Sequence, residues 1–398
     1  MSPVVRSAIV YVVLFAAVGA WFPYVSVYYR HVGLSLEAVG LLTALYSAVG
    51  LVAAPAWGAV VDHLRNSRGP LAVAGAWSAL AAALLLVVRD PLPVTVAVAF
   101  LAAGTAGMGP MVDNRTIELL GDDRDRFGRA RAFGSAAFIV AAIGVGALVT
   151  SAGPPGMFLV YVPLLALTGL AAYGLLGAGS RRPRTAALAR GEGLLGIVRA
   201  PTLGLFFAGS VVMWTAVSAL TTFLSVHLVA LGADGRTVGI AWALGAAIEV
   251  PLMFLFPLIV RRVGAEWLLV VGALAFGLRS LGWALVDDPT ILLAIMVAGG
   301  VGFAFFYVGT VTYVARAVPI GVQATAQGVF SGTAFSFGSI LGSVLGGVVA
   351  GASSLPILFG LSSGLLVVAA VVVWWAVVRR GPEVRSVRGS GRGLDSRA

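Results

Sequence analysis

Between Gly109 and Phe138 the chain reads GPMVDNRTIELLGDDRDRFGRARAFGSAAF, which sets a carboxylate, Asp113, inside one apolar segment and two guanidinium groups, Arg129 and Arg131, at the start of the next. A charged side chain at bilayer depth costs several kcal/mol unless it is paired or wetted, so such groups face a cavity or a partner. If neighbouring helices carry them, Asp113 and Arg131 can meet across the pair. The result is either an interhelical salt bridge that only fixes the fold or a polar site in an apolar surround. Glu249 lies mid-span in AAIEVP with no basic residue nearby in sequence. A lone carboxyl there can load and release a proton, or stay neutral and hydrogen-bonded. Arg279, inside another span, is placed to pair with Glu249 across two helices.

The other polar residues point elsewhere. Arg115 and Glu118, three apart on one helix, form a local pair near a helix end. His227 reads as an interfacial residue near the end of its span. Trp21, Phe22 and Tyr24 surround Pro23, which breaks the helix and either opens backbone to a cavity or sits in an interfacial aromatic belt. Gly328, Gly332, Gly338, Gly342 and Gly346 recur mostly every fourth residue, the spacing of close helix packing and not of a ligand loop. Three scattered histidines, no cysteine and no Walker pattern leave no nucleophile with a base, no metal centre and no nucleotide loop, so no cofactor is expected and ATP does not drive the process.

Composition says what must position these groups. Of 398 residues 60% are hydrophobic and 11% charged, against about 25% charged in an ordinary soluble domain. Mean hydropathy is +1.01. This is an all-α polytopic membrane protein, whose spans each need about 20 apolar residues. Candidate spans run near 5–30, 38–61, 70–88, 93–120, 130–152, 156–178, 202–231, 237–260, 266–286, 289–315, 321–350 and 354–378. The apolar run after Arg6 carries no small-residue cleavage site, so the first span is expected to stay in place. The basic residues are all arginine. Most fall at the ends of spans, in the linker or in the tail on one side, whereas the opposite loops hold Arg30, Arg89 and Arg236. The positive-inside rule then puts both termini in the cytoplasm and makes the number of spans even. The net charge of +10 thus reports topology, and no nucleic-acid partner is called for.

The chain also repeats itself. A shift of 199 residues pairs Ser26, Val27, Gly33, Val39, Gly40, Ala44 and Leu45 with Ser225, Val226, Gly232, Val238, Gly239, Ala243 and Leu244. Two six-helix bundles, 1–178 and 201–379, joined by a linker at 179–200 and followed by a basic tail at 380–398, fit this duplication. Each bundle has an even number of spans, so both run the same way through the membrane. That is the parallel-repeat plan of a secondary transporter, with its binding site near the midplane between the halves.

Six stretches carry a resemblance: GAWFPYVSVYY (19–29), GAVVDHLR (58–65), PMVDNRTIEL (110–119), FGRARAFGSAAF (127–138), AAIEVPLMF (246–254) and AQGVFSGTAFSFGSILGSVLGG (326–347). Together they resemble the major facilitator superfamily, in the branch with lactose permease, phenylpropionate permease and nucleoside–proton symporters. The resemblance implies twelve transmembrane helices and an acidic substrate residue at Asp113, with its arginine partner at Arg131, 18 residues on. It implies a stacking aromatic at Phe138, where a tryptophan would favour sugar, and further cavity aromatics at Trp21 and Tyr24. It also implies coupling groups at Glu249, Asp113 and Arg279, although Gly299 and Gly302 stand where lactose permease has its helix 10 relay. Asp62 and Arg65 resemble the cytoplasmic gating motif, with Arg65 in place of its usual glycine. The expectation is a monomeric transporter in the plasma (inner) membrane. It would symport protons with a small sugar-, nucleoside- or aromatic-acid-like solute, and the alternative is a proton-coupled efflux antiporter.

Overall fold

The computed structural model describes residues 1–64, 66–121, 126–177, 201–318 and 323–379. Among the described residues all regular structure is helical. The first half begins with α1 (Pro3–Trp21) and α2 (Val25–His31), two pieces of one span, followed by α3 (Leu36–Leu64) and α4 (Arg68–Leu84). A second divided span, α5 (Pro91–Thr105) and α6 (Met108–Leu120), precedes α7 (Phe127–Ala152) and α8 (Phe158–Leu175). The second half has α9 (Pro201–Ala230), α10 (Gly235–Val263), α11 (Ala265–Leu285) and α12 (Pro289–Ala317). It ends with α13 (Gln323–Phe330) running through a π-helical turn into α14 (Gly338–Ala352), and then α15 (Leu355–Trp374). Eleven stretches are long and apolar enough to cross a bilayer. The twelfth, α4, has 17 residues, at the short end of what spans. The linker and tail expected at 179–200 and 380–398 lie outside the described residues, as does Arg65.

Local chemistry sets the helix ends. Asp234 and Asp288 cap α10 and α12 by accepting from the amides of Thr237 (2.8 Å) and Thr290 (2.7 Å). The duplication appears in the turns as well as in the residues. Gly33 and Gly232, 199 apart, both stop their helices in the left-handed region, at φ 89° and 86°. In each case the next amide reaches back to close the helix, Leu34 to the Tyr29 carbonyl (3.1 Å) and Ala233 to the Leu228 carbonyl (3.0 Å). A side chain at either position would work against a backbone region that costs about 1–2 kcal/mol.

Three spans depart from plain helix along their length, and the last span ends in a π-helical turn at Trp375–Arg379. Pro23 falls in the turn between α1 and α2, as its missing amide requires. The fourth span also breaks, at Ala106–Gly107, which the apolar run 93–120 does not announce. Indoles take up the carbonyls loosened there: Trp57 Nε1 donates to Ala103 O (2.8 Å) and Trp77 Nε1 to Phe100 O (2.9 Å). The Tyr46 and Thr105 hydroxyls share a bond of 2.6 Å beside them. Gly107 has no alternative, because a Cβ would lie 2.6 Å from the Trp57 ring. In the eleventh span, Ser331–Phe337 widens into a π-helical turn, a form common at functional positions.

Within the first half α1 lies between α7 and α8, and α4 packs on α8; within the second, α9 packs on α14 and α15, and α11 lies between α12 and α15. The glycines of the eleventh span divide by role. Gly338, Gly342 and Gly346 sit directly on α9, whereas nothing lies within 4 Å of a Cβ at Gly328. The halves meet along two seams, α3 on α14 and α7 on α10. The seams repeat each other. A Cβ at Gly40 would strike the Ser343 carbonyl and approach Gly347, and one at Gly239 would strike the Ala142 carbonyl and the Tyr24 hydroxyl. These contacts cluster at the end holding the turns at Gly33 and Gly232. There Thr150 Oγ1 donates to Asp234 Oδ2 (3.2 Å) and accepts from the Arg236 amide (3.0 Å), tying one half to the other.

Candidate functional site

Three helices of the first half build a polar group inside the membrane. Tyr11 and Phe15, one turn apart, face out of α1; Asp113 and Thr116 face out of the short α6; Arg131 leaves the first turns of α7. The close approach of α7 to α1 depends on Gly134, where a Cβ would lie 2.9 Å from the Phe15 ring and 3.3 Å from the Tyr11 carbonyl. A second close crossing follows at Gly19, against the Phe138 carbonyl (2.6 Å from a Cβ).

Asp113 and Arg131 are brought to one place but do not form the ion pair expected of them. Asp113 Oδ1 accepts a hydrogen bond of 2.6 Å from the Tyr11 hydroxyl. The Arg131 guanidinium lies over the Phe15 ring, 4.7 Å from its centroid. Tyr11 lies near both charges, bonded to one of them. The physical reason is competition: a phenol donates to the carboxylate in a charge-assisted bond and a ring face takes the cation, so neither charge needs the other to be stable at this depth. Both keep capacity for a ligand, Asp113 as acceptor and Arg131 as donor.

From the second half, Glu249 on α10 faces this group. Among the described residues it forms no salt bridge, and it lies within electrostatic range of Arg131 of the first half. Its backbone is held by α12, where a Cβ at Gly300 would come within 3.3 Å of the Glu249 amide nitrogen. Pro251, two residues on, removes an amide from the same turn. The expected pairing of Arg279 with Glu249 is not made. Arg279 is 4% exposed, on α11, with its guanidinium 5.0 Å over the Phe276 ring and Nη1 against Gly299. Its Nε and Nη2 find no acceptor. Gly299 and Gly300 are adjacent on α12, so Arg279 and Glu249 lie on two sides of one helix, which keeps them apart.

The remaining candidates fall as follows. Phe138 is half-buried on α7 beyond Arg131. Trp21 is packed away, stacked on Tyr161 (4.9 Å between centroids) and edge-on to Tyr29 and Phe158. Tyr24 belongs to a seam, its hydroxyl donating to Ala142 O and lying 3.5 Å from Gly235 O. Asp62 is in the last turn of α3. Arg115 and Glu118 pair locally at 2.6 Å, and Arg115 Nε also donates to Leu176 O (2.9 Å), clamping the end of α8. His227, expected at an interface, is instead buried against Trp283 and Phe359, because α9 runs through the middle of its bundle. The sequence reading missed Tyr11, although a tyrosine midway along the first apolar run was there to be weighed.

A polar group set in the apolar spans of two repeated bundles that meet at one end fits a transporter, and comparison with known proteins decides which kind. Residues 4–361 match the MFS_1 like family. The chain belongs to this family. As a major facilitator protein it is a multi-pass transporter with the twelve-helix fold, and not an enzyme. It is 26% identical over 337 residues to a maltose permease from Geobacillus stearothermophilus, covering 83% of each chain. It is 24% identical over 335 residues to the uncharacterized transporter YwbF of Bacillus subtilis (strain 168), covering 83% of this chain and 82% of that one. The crystal structure of the nucleoside transporter NupG superposes with a TM-score of 0.83 at 17% identity, covering 94% of this chain and 99% of that one. A bacterial homolog of the human lysosomal transporter Spinster, inward-facing and unoccupied, superposes at 0.72 with 16% identity over 96% of each.

Proposed function

We propose that this major facilitator protein is a proton-coupled symporter of a small organic solute, held here with the solute site closed from outside and reached from the cytoplasm. The observation that carries the reading is the membrane-embedded set Tyr11, Asp113 and Arg131 in one half facing Glu249 in the other. Asp113 and Arg131 bind the polar groups of the solute, and Phe138, further along the same helix face as Arg131, packs on it. Glu249 carries the proton, and the Arg131 charge links its protonation to solute binding. Arg279, in the same half and on the other side of α12, keeps its place relative to Glu249 as the halves rock, so the charge that changes at that carboxyl is the one on the first half. Asp62 and Arg65 serve the cytoplasmic gate, while Trp21 and Tyr24 act as wall and seam.

The arginine bias supports a plasma-membrane protein with both termini in the cytoplasm, which places the Thr150–Asp234 latch on the outer side. Two bundles at 1–178 and 201–379 moving as bodies, in a monomer, suffice for alternating access. The names of its relatives, a maltose permease and a nucleoside transporter, support a solute of sugar, nucleoside or aromatic-acid size.

The test is uptake into proteoliposomes under an imposed proton gradient, comparing wild type with Asp113→Asn and Glu249→Gln. Gradient-driven accumulation lost in Glu249→Gln, with solute exchange retained, is the expected result. Normal uptake with unchanged pH dependence in both variants overturns the assignment, and gradient-driven extrusion makes the protein an efflux antiporter.

A further inference from the structure

The second half carries a group of rings that nothing described so far uses. Phe303 and Tyr307, one turn apart on α12, stack nearly parallel, 5.1 Å between centroids at 14°. Trp214 of α9 meets Phe303 edge-on at 6.2 Å and Phe335 of the π-helical turn edge-on at 4.6 Å. Rings from three spans thus converge where α9, α12 and the eleventh span face one another.

Three features separate this group from ordinary core. Tyr307 and Phe335 are 40% and 41% exposed although their inner edges are engaged, so the group presents open ring surface. Trp214 is only 3% exposed, and among the described residues its indole N–H has no acceptor, as in Trp283 and unlike Trp57, Trp77 and Trp242; Trp283, however, packs on buried rings, whereas Trp214 meets the exposed Phe335. A sealed donor left unpaired costs about 1–3 kcal/mol, a cost that a ligand acceptor would remove. Phe335 is also held out of α-helical register by the π-helical turn, which rotates its side chain toward α9. Counting about 1.5 Å per residue from the closed ends of their helices, these rings lie about 21–27 Å deep and Glu249 about 21 Å deep. The rings and the proton carrier therefore share one level of the membrane.

We propose that Phe303, Tyr307 and Phe335, with the Trp214 N–H, form the second half's part of the solute site, and that they select a solute bearing a planar aromatic or heteroaromatic ring with a hydrogen-bond acceptor. This deepens the symporter reading and rests on it. The charged set of the first half takes the polar end, and the shelf takes the flat face. A sugar ring can lay only its C–H face on such a shelf, whereas a planar aromatic or heteroaromatic ring adds a π face of its own, so the shelf favours the aromatic solute over a maltose-like one.

The experiment is equilibrium binding to the purified full-length protein with three probes: uridine (a heteroaromatic base), 3-phenylpropanoate (an arene with a carboxylate) and maltose (neither). One aromatic probe, at least, is expected to bind and maltose to bind more weakly or not at all. Tyr307→Leu and Phe303→Leu should weaken the bound aromatic probe about tenfold each, which corresponds to about 1.4 kcal/mol. Tyr307→Phe, which keeps the ring, should bind like wild type. Melting temperature and gel-filtration profile without probe confirm that each variant is folded. Maltose bound in preference to both aromatic probes, Tyr307→Leu binding like wild type, or Tyr307→Phe failing as Leu does, each overturns the shelf. If a ring-free solute is then taken up under a proton gradient, the shelf alone has failed. If no solute of any class binds or moves protons, the symporter reading fails with it.

Discussion

The two glycine seams make the closed end testable without knowledge of the solute. At Gly239 a single methyl group would press on the Ala142 carbonyl and the Tyr24 hydroxyl, and at Gly40 on the Ser343 carbonyl and Gly347. Neither neighbour can yield easily, since each carbonyl belongs to a helix backbone. Overpacking of a tight contact costs about 1–3 kcal/mol, and here the cost falls only on the state in which the seams are shut. Each alanine should therefore shift the closed–open equilibrium about 5- to 150-fold toward opening at that end. The seams share no residue, so the costs in Gly40→Ala/Gly239→Ala should add to about 2–6 kcal/mol. Because the chain has no cysteine, Val149→Cys supplies a single thiol, and Val149 is buried against Gly235 in the seam. Its rate of modification by a maleimide too large to enter the shut seam reads the open fraction in nanodiscs. Rates should rise with one glycine substitution and again with the second. A well-folded double variant that labels no faster than Val149→Cys alone would refute the view that these contacts hold the end closed.

A double-mutant cycle of Tyr11→Phe with Asp113→Ala, read by unfolding free energy, should give a coupling of about 1.5–3 kcal/mol for the charge-assisted bond; a value near zero means that the bond contributes nothing net. Asp234, in the loop before α10, has its carboxyl held below the ordinary 3.8 by the Thr237 amide, then by the Thr237 and Thr150 hydroxyls. Its contribution to the latch is therefore complete above that ordinary value and fades as pH falls through the lower folded value. The labelling rate of Val149→Cys, divided by that of a free thiol at the same pH to remove the change in thiolate fraction, should stay flat from neutral pH down to the ordinary carboxylate range and rise only below it, and Asp234→Asn should remove the acid rise. Gly33→Ala and Gly232→Ala should each cost about 1–2 kcal/mol, because both need positive φ. Gly50→Ala, in a helix with open space around it, should be neutral or stabilising by up to about 1 kcal/mol, and denaturation of the three variants separates the two cases.

How far the sequence speaks depends on the range of the interaction. The fold was legible because apolar runs, arginine placement and the 199-residue offset are summed over the whole chain, and Gly33 and Gly232 carried the repeat into matched turns. Asp113, Arg131 and Glu249 were legible as candidate sites because charge inside an apolar run is conspicuous at any distance. What those charges touch was not. Tyr11 lies 102 residues from Asp113, and only the packing of α1 at Gly134 puts a phenol where a guanidinium was expected. Arg279 and Glu249 could be counted as opposite charges on successive spans, but the intervention of α12 between them is a tertiary fact. The break at Gly107 was hidden because tryptophans on two other helices repair it, so the apolar pattern runs on undisturbed.

That repaired break has a mechanical result. The segment bearing Asp113 is a 13-residue rod pivoted at Gly107. Two residues beyond the carboxylate it is fastened by Arg115 to the carbonyls of Leu176 and Gly177, just past the end of α8. A pull on the carboxylate, exerted by whatever occupies it, swings a short lever whose other attachment is the doorstep of the segment that tethers one bundle to the next. The hinged piece that bears the carboxylate is thus joined to the close of the first bundle through a single guanidinium.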